Sequence, residues 1–202
     1  MKRNLSSGDQ VGQNLRKKGS RSDSPADFRA LVDNAPRADL VTGRGERFVG
    51  FSFGANKSMS GEIVFTTGMV GYPEALTDPS YAGQILVFTF PMIGNYGVPC
   101  EDRDECGLLK YFESEKIQVA GVVVSEYSFE YSHWNAVKPL GQWLTESGVP
   151  ALYGIDTRML TKKIREVGSI LGKIEFPGQP IDLIDPNLSN LVDSVSTKQV
   201  NL

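Results

Sequence analysis

From Leu40 onward, short apolar runs alternate with glycine and proline turns and with stretches of helical spacing, a pattern that predicts an α/β domain. Strands are expected at Arg47–Ser52, Gly61–Thr66, Gln84–Phe90, Val119–Val124, Ala151–Tyr153 and Ile170–Glu175, all short and enriched in Val, Ile and Phe. The run Ala120–Val124 (AGVVV) is apolar at every position, as a central strand buried on both faces would be. Helical spacing covers Glu105–Glu115, His133–Ser147 and Asp156–Val167. The last is the clearest, with Asp156 able to cap free backbone N–H groups, Leu160, Ile164 and Val167 on one face, and Gly168 at the C′ position. Hairpins early and strand–helix–strand units late predict a layered domain with both antiparallel and parallel pairing.

Both flanks differ from this body. Residues 1–39 are rich in Ser, Gly, Asp, Asn, Lys and Arg and poor in large apolar side chains, which predicts a flexible tail that cannot offset its ordering entropy by burial. Residues 177–202 contain three prolines and many polar residues and read as an extended linker. The core domain is therefore expected at residues 40–176.

At 202 residues, 40% hydrophobic and 22% charged, the chain is long enough to bury a sizeable core. Its net charge of −3 argues against the basic footprint of a nucleic-acid binder. The charge is unevenly placed: residues 1–38 hold eight Lys/Arg and four Asp/Glu, leaving 13 and 20 for the rest, so a basic tail precedes an acidic body. Asp9, Asp23 and Asp27 are unusual for an organellar transit peptide. Cys100 and Cys106 form neither a disulfide framework nor a four-ligand zinc pattern and are read as reduced thiols. With no apolar run of membrane-spanning length and no signal-peptide core, a soluble intracellular protein is expected. The expected compartment is the cytoplasm, with the mitochondrial matrix as the alternative.

The chemistry-bearing residues are sparse. A Ser–His or Cys–His pair needs a base beside the nucleophile, and the single histidine, His133 in YSHWN, reads as structural or surface. The stretch GANKS (Gly54–Ser58) lacks the glycine spacing of a phosphate loop. Neither a metal site nor a catalytic residue is expected. Arg158, Lys162 and Arg165 fall on one helix face, a solvated surface or a docking face for an acidic partner. The segment Gly68–Gly97 stands apart, because five glycines, three prolines and Asp78-Pro79 require a long structured turn between two strands. Thr77, Asp78, Ser80 and Tyr81 group hydroxyls and a carboxylate there, able either to stabilise turns or to bind a small polar ligand.

Two long blocks, GEIVFTTGMVGYPEALTDPSYAGQILVFTFPMIGNYGVP (Gly61–Pro99) and YGIDTRMLTKKIREVGSILGKI (Tyr153–Ile174), resemble the N-terminal domain of the small, glutaminase chain of carbamoyl-phosphate synthetase. The resemblance runs from about Gly50 through the closing residues and is in the style of the large eukaryotic fused synthetases. It implies a three-layer β/β/α swivelling-type domain with one parallel and one antiparallel sheet. It also implies two partners, a glutamine amidotransferase domain carrying the catalytic triad and a synthetase part that uses bicarbonate and two ATP. No cofactor is expected in this domain, ATP and Mg being expected in the synthetase. Without the triad, the chain alone is expected to have no glutaminase activity. Ser80, in the TDPSY motif, resembles the family serine that contacts bound L-glutamine. The departure lies near the start, where Arg44 replaces an expected hairpin aspartate and the first strand is expected to be short or irregular. Two other readings stand beside this one: a stand-alone interaction module without catalysis, and a structural domain of an ammonia-dependent synthetase.

Overall fold

The computed structural model describes residues 34–197. Residues 1–33, which hold nearly all of the expected flexible basic tail, and residues 198–202 lie outside the described ones. Seven strands close into one barrel: β1 (Arg37–Thr42), β2 (Arg47–Ser52), β3 (Met59–Thr66), β4 (Gln84–Phe88), β7 (Gly121–Val123), β10 (Ala151–Tyr153) and β11 (Ile170–Glu175). Around the barrel their order is β1-β11-β3-β4-β7-β10-β2. Both kinds of pairing are present, as expected. The run β3-β4-β7-β10 is parallel, and the run from β3 through β11, β1 and β2 to β10 is antiparallel. The two runs share β3 and β10, so hydrogen bonding joins them as arcs of one closed barrel. Two small two-stranded sheets lie outside it, β5 (Met92–Ile93) with β8 (Glu126–Tyr127) and β6 (Val98–Pro99) with β9 (Ala136–Lys138).

The residue pattern explains which arc is which. In β4, Ile85 and Val87 join one buried cluster, and Leu86 and Phe88 join another on the opposite face. A strand buried on both faces needs a continuous apolar run, which ILVF and AGVVV supply. In β11, buried Ile170, Gly172 and Ile174 alternate with more accessible Leu171, Lys173 and Glu175, the signature of a half-buried antiparallel strand. The first cluster takes Leu40, Ile63, Ile174 and, from helix α3 (Thr157–Val167), Leu160 and Ile164. The second takes Tyr72 and Leu76 from helix α1 (Tyr72–Thr77) and Leu140 and Leu144 from helix α2 (Leu140–Glu146).

Several expected elements are present at or near their expected limits. β2, β10 and β11 match residue for residue, and α3 begins where the Asp156 carboxylate accepts the Met159 N–H at 2.8 Å. Gly168 ends α3, as expected, with its N–H donated to the Ile164 carbonyl. Val167 is 40% exposed, so the buried face of the helix rests on Leu160 and Ile164.

Three expectations are corrected. Glu105–Glu115 is not helical: the Asp104 carboxylate takes the N–H groups of Cys106 and Leu108, each at 2.9 Å, and Gly107 sits at φ +78°. A side chain that satisfies local backbone donors competes directly with helix formation. His133–Ser147 divides at Pro139, because the residue before a proline is driven to extended geometry, so 136–138 pair as β9 and the helix starts after it. The first strand is regular rather than short or irregular. β1 is six residues long and hydrogen-bonded along both edges, to β2 and β11, with Gly45 at φ +83° supplying the hairpin turn beside Arg44.

Beyond β11 the chain stays against the barrel. The buried Ser58 hydroxyl accepts the Phe176 N–H at 2.9 Å and donates to the Gln179 carbonyl at 2.7 Å, and the Ser60 hydroxyl accepts the Ile184 N–H at 2.8 Å. Lys173 Nζ donates to the Ile181 carbonyl at 2.6 Å. Replacing Ser58 with Ala would leave the buried Phe176 N–H without its acceptor. The expected loss is about 1–3 kcal/mol of unfolding free energy, read by urea titration of the 202-residue chain. An unchanged midpoint would show that this contact contributes nothing.

Candidate functional site

The segment Gly68–Gly97 folds as helix α1, a 3-10 turn at Pro79–Tyr81, strand β4 and a return past β5. Pro73, in the first turn of α1, has no N–H to leave unsatisfied. No side chain caps α1 from Gly71. Instead the Tyr96 hydroxyl accepts the N–H groups of Gly71 and Tyr72 at 2.8 and 3.0 Å. Tyr72 donates its own hydroxyl to the Gly97 carbonyl at 2.7 Å, and the two rings stack with centroids 4.1 Å apart. This tyrosine pair ties the start of α1 to the end of the segment. The sequence reading missed it, because the two tyrosines lie 24 residues apart and no local spacing links them.

Of the four polar residues grouped by sequence, the fold occupies two and leaves one open. Thr77 is buried; its hydroxyl donates to the Pro73 carbonyl at 2.9 Å and accepts the Glu113 N–H at 3.0 Å. Asp78 accepts the Ser80 N–H at 2.8 Å and so caps the 3-10 turn, the turn-stabilising role considered for it. Tyr81 packs half-buried against the second cluster. Ser80 is exposed, and its hydroxyl has no hydrogen-bond partner among the described residues. It stands on a turn that is locked from below.

Arg158, Lys162 and Arg165 are exposed on α3, and none of them is in an ion pair among the described residues. They lie away from the buried face formed by Leu160 and Ile164. His133 is exposed, accepts the Asn135 N–H at Nδ1 and lies edge-on to Tyr96 with centroids 6.1 Å apart. Its ring is thus engaged with neighbours in a surface turn. The Cys100 thiol lies 3.4 Å from the Asn135 side-chain oxygen, and Cys106 is exposed; both are free thiols. A cleft of about 400 Å³ opens between the 101–117 loop and α2, with Phe112, Trp143, Lys138 and Glu146 in its walls. Lys138 and Glu146 neutralise each other across 3.0 Å, and Ser80 does not line the cleft.

Residues 40–174 match the family model of the carbamoyl-phosphate synthase small chain, CPSase domain. The chain belongs to this family. The carbamoyl-phosphate synthase arginine-specific small chain of Saccharomyces cerevisiae is 56% identical over 167 residues, which are 82% of this chain and 41% of that protein. The mitochondrial carbamoyl-phosphate synthase (ammonia) of Mus musculus is 56% identical over 176 residues, 87% of this chain and 12% of that protein. The multifunctional protein pyr1-3 of Dictyostelium discoideum is 54% identical over 172 residues, 83% of this chain and 8% of that protein. The chain therefore spans from 8% to 41% of the length of these relatives.

Burial raises the ionisation of the Tyr72 hydroxyl far above the ordinary phenol range, and the neighbouring Tyr96 adds to the rise. Burial raises Tyr96 as well. A phenol whose folded pKa lies above its unfolded value contributes stability that is intact below about pH 10 and declines as the unfolded chain begins to release its protons. Stability of the chain is therefore expected to fall as pH rises above about 10, with a flatter decline in Tyr72→Phe. Denaturant midpoints measured across that window test this, and parallel declines in both proteins would refute the assignment to Tyr72.

Proposed function

We propose that this chain is the N-terminal domain of the glutaminase part of a glutamine-dependent carbamoyl-phosphate synthetase. In this reading it contributes one contact to L-glutamine and a docking face for the synthetase. The observation that carries the reading is the Ser80 hydroxyl, which is exposed, without a hydrogen-bond partner among the described residues, and held on a turn whose own amides bond to Asp78 and Pro79. A hydroxyl in that state can both donate to and accept from a polar substrate without first breaking an internal bond. The chemistry itself belongs to partners: an amidotransferase domain supplying the cysteine that attacks the glutamine amide, and a synthetase part supplying ATP and Mg. The compartment proposed is the cytoplasm.

Docking to the synthetase is assigned to Arg158, Lys162 and Arg165. Three cations without an ion pair among the described residues, on one side of a helix and on an otherwise acidic body, suit an acidic partner surface. A second reading, an ammonia-dependent synthetase in which the domain is structural, is matched equally by identity: the mouse ammonia-type protein and the yeast arginine-specific small chain are both 56% identical to this chain.

Ser80→Ala in the intact synthetase is expected to raise the glutamine KM about two- to tenfold, the loss of one hydrogen bond, with ammonium-driven turnover unchanged. An unmoved glutamine KM would refute the contact, and turnover with ammonium but none with glutamine would establish the second reading. Reversing Arg158, Lys162 and Arg165 together to Glu is expected to weaken association with the synthetase part. The weakening should be greatest at low salt, because exposed charges are screened as ionic strength rises. Titration calorimetry at two salt concentrations measures it, and equal affinity for both proteins would remove the docking assignment.

A further inference from the structure

The turn that presents Ser80 ends at Gly83, and Gly83 is held from two sides. On one side its carbonyl lies against Gly61 of β3, so close that a Cβ placed on Gly61 would come within 2.4 Å of the Gly83 oxygen. On the other side lies the segment that leaves the barrel. A Cβ placed on Gly83 would meet Pro186 Cβ at 3.1 Å and Leu191 Cδ2 at 3.7 Å. Gly83 also sits at φ +75°, where a side chain would be strained. The backbone at residue 83 is thus clamped between strand β3 and Pro186–Leu191.

The exit segment is shaped to make that contact. The bonds of Ser58, Ser60 and Lys173 described above fix its path as far as Ile184. The Asp185 carboxylate then accepts the Asn187 N–H at 2.9 Å, turning the chain so that Pro186 faces Gly83. Asn190 caps the short helix α4 (Leu191–Val195) by accepting the Asp193 N–H at 3.0 Å. Leu188 and Val192 are 86% and 73% exposed, whereas Pro186 and Leu191 lie against Gly83. The turn it touches is held locally by the Ser80, Tyr81 and Ala82 amides bonded to Asp78 and Pro79, and by the Tyr81 ring packed against the second cluster.

We propose that Pro186 and Leu191 are positioning residues for Ser80: by seating on Gly83 they set the placement of the Pro79–Tyr81 turn, and with it the hydroxyl assigned to glutamine. The exit segment is on this account part of the substrate-binding apparatus. What it positions rests on the reading of Ser80 given above. The mechanical link between the exit segment and the turn does not.

Two measurements separate these parts. In the 202-residue chain, hydrogen exchange of the Ser80, Tyr81 and Ala82 amides is expected to quicken roughly tenfold in Leu191→Ala, as a local opening becomes easier, while β3 and β4 amides keep their protection. Leu191→Met is expected to restore protection. In the intact synthetase, Leu191→Ala is expected to raise the glutamine KM severalfold at unchanged ammonium-driven turnover, with little further increase on adding Ser80→Ala. Unchanged exchange at all three amides overturns the link whatever Ser80 does. Faster exchange with an unmoved glutamine KM in both Leu191→Ala and Ser80→Ala removes the glutamine role alone. If only Ser80→Ala moves the KM, the positioning role is overturned and the Ser80 contact stands.

Discussion

The architecture depends on two strands that accept unlike neighbours. β3 is antiparallel to β11 along one edge and parallel to β4 along the other, and β10 does the same between β2 and β7. Only because both strands switch can a parallel run and an antiparallel run close into one ring without an exposed edge. At β3 the switch brings backbones unusually close. A Cβ on Gly61 would lie 2.4 Å from the Gly83 carbonyl oxygen on the parallel side, and one on Gly172, the antiparallel register partner of Gly61, would lie 3.1 Å from the Val41 carbonyl oxygen. The same strand carries Ser60 and lies just after Ser58, whose hydroxyls hold the exit segment. Closure of the barrel and attachment of that segment thus share one strand.

Around this ring the local sequence was a good guide where burial and period agreed. Ile170–Glu175 alternates cleanly because one face is buried and the other is not, and Asp156 announces α3 because a carboxylate before an apolar-periodic run has an evident use. The reading failed where a side chain or a proline overrode spacing. Asp104 captured the donors that a helix at Glu105–Glu115 would have needed, and Pro139 split a periodic stretch into a strand and a helix. β1 was underestimated because its regularity comes from partners at both edges, one of them more than a hundred residues away in sequence.

The site was legible only as a composition. Clustered hydroxyls and a carboxylate marked the 77–81 stretch, but nothing in their order said which would be used internally. The fold made that division: Thr77 binds the 113–114 loop, Asp78 closes the turn, and Ser80 is left facing outward. The tyrosine pair that secures α1 lay beyond any local rule, as did the approach of Pro186 to Gly83. Contacts between segments distant in sequence carry the precision of the site, and these are the contacts that one-dimensional patterns do not encode.

The hairpin-like adjacency of β1 and β11 has a further meaning for assembly. Asp39 opposes Glu175, so the polypeptide enters and leaves the barrel at neighbouring points on one rim. A domain wired in this way behaves as a cassette. From that rim the exit segment runs past Ser58 and Ser60 to Gly83, so the last described residues lie at the start of β4 and not beside β1. Entry at the rim and departure at the far end of a fixed segment suit a unit that spans as little as 8% of one relative and as much as 41% of another.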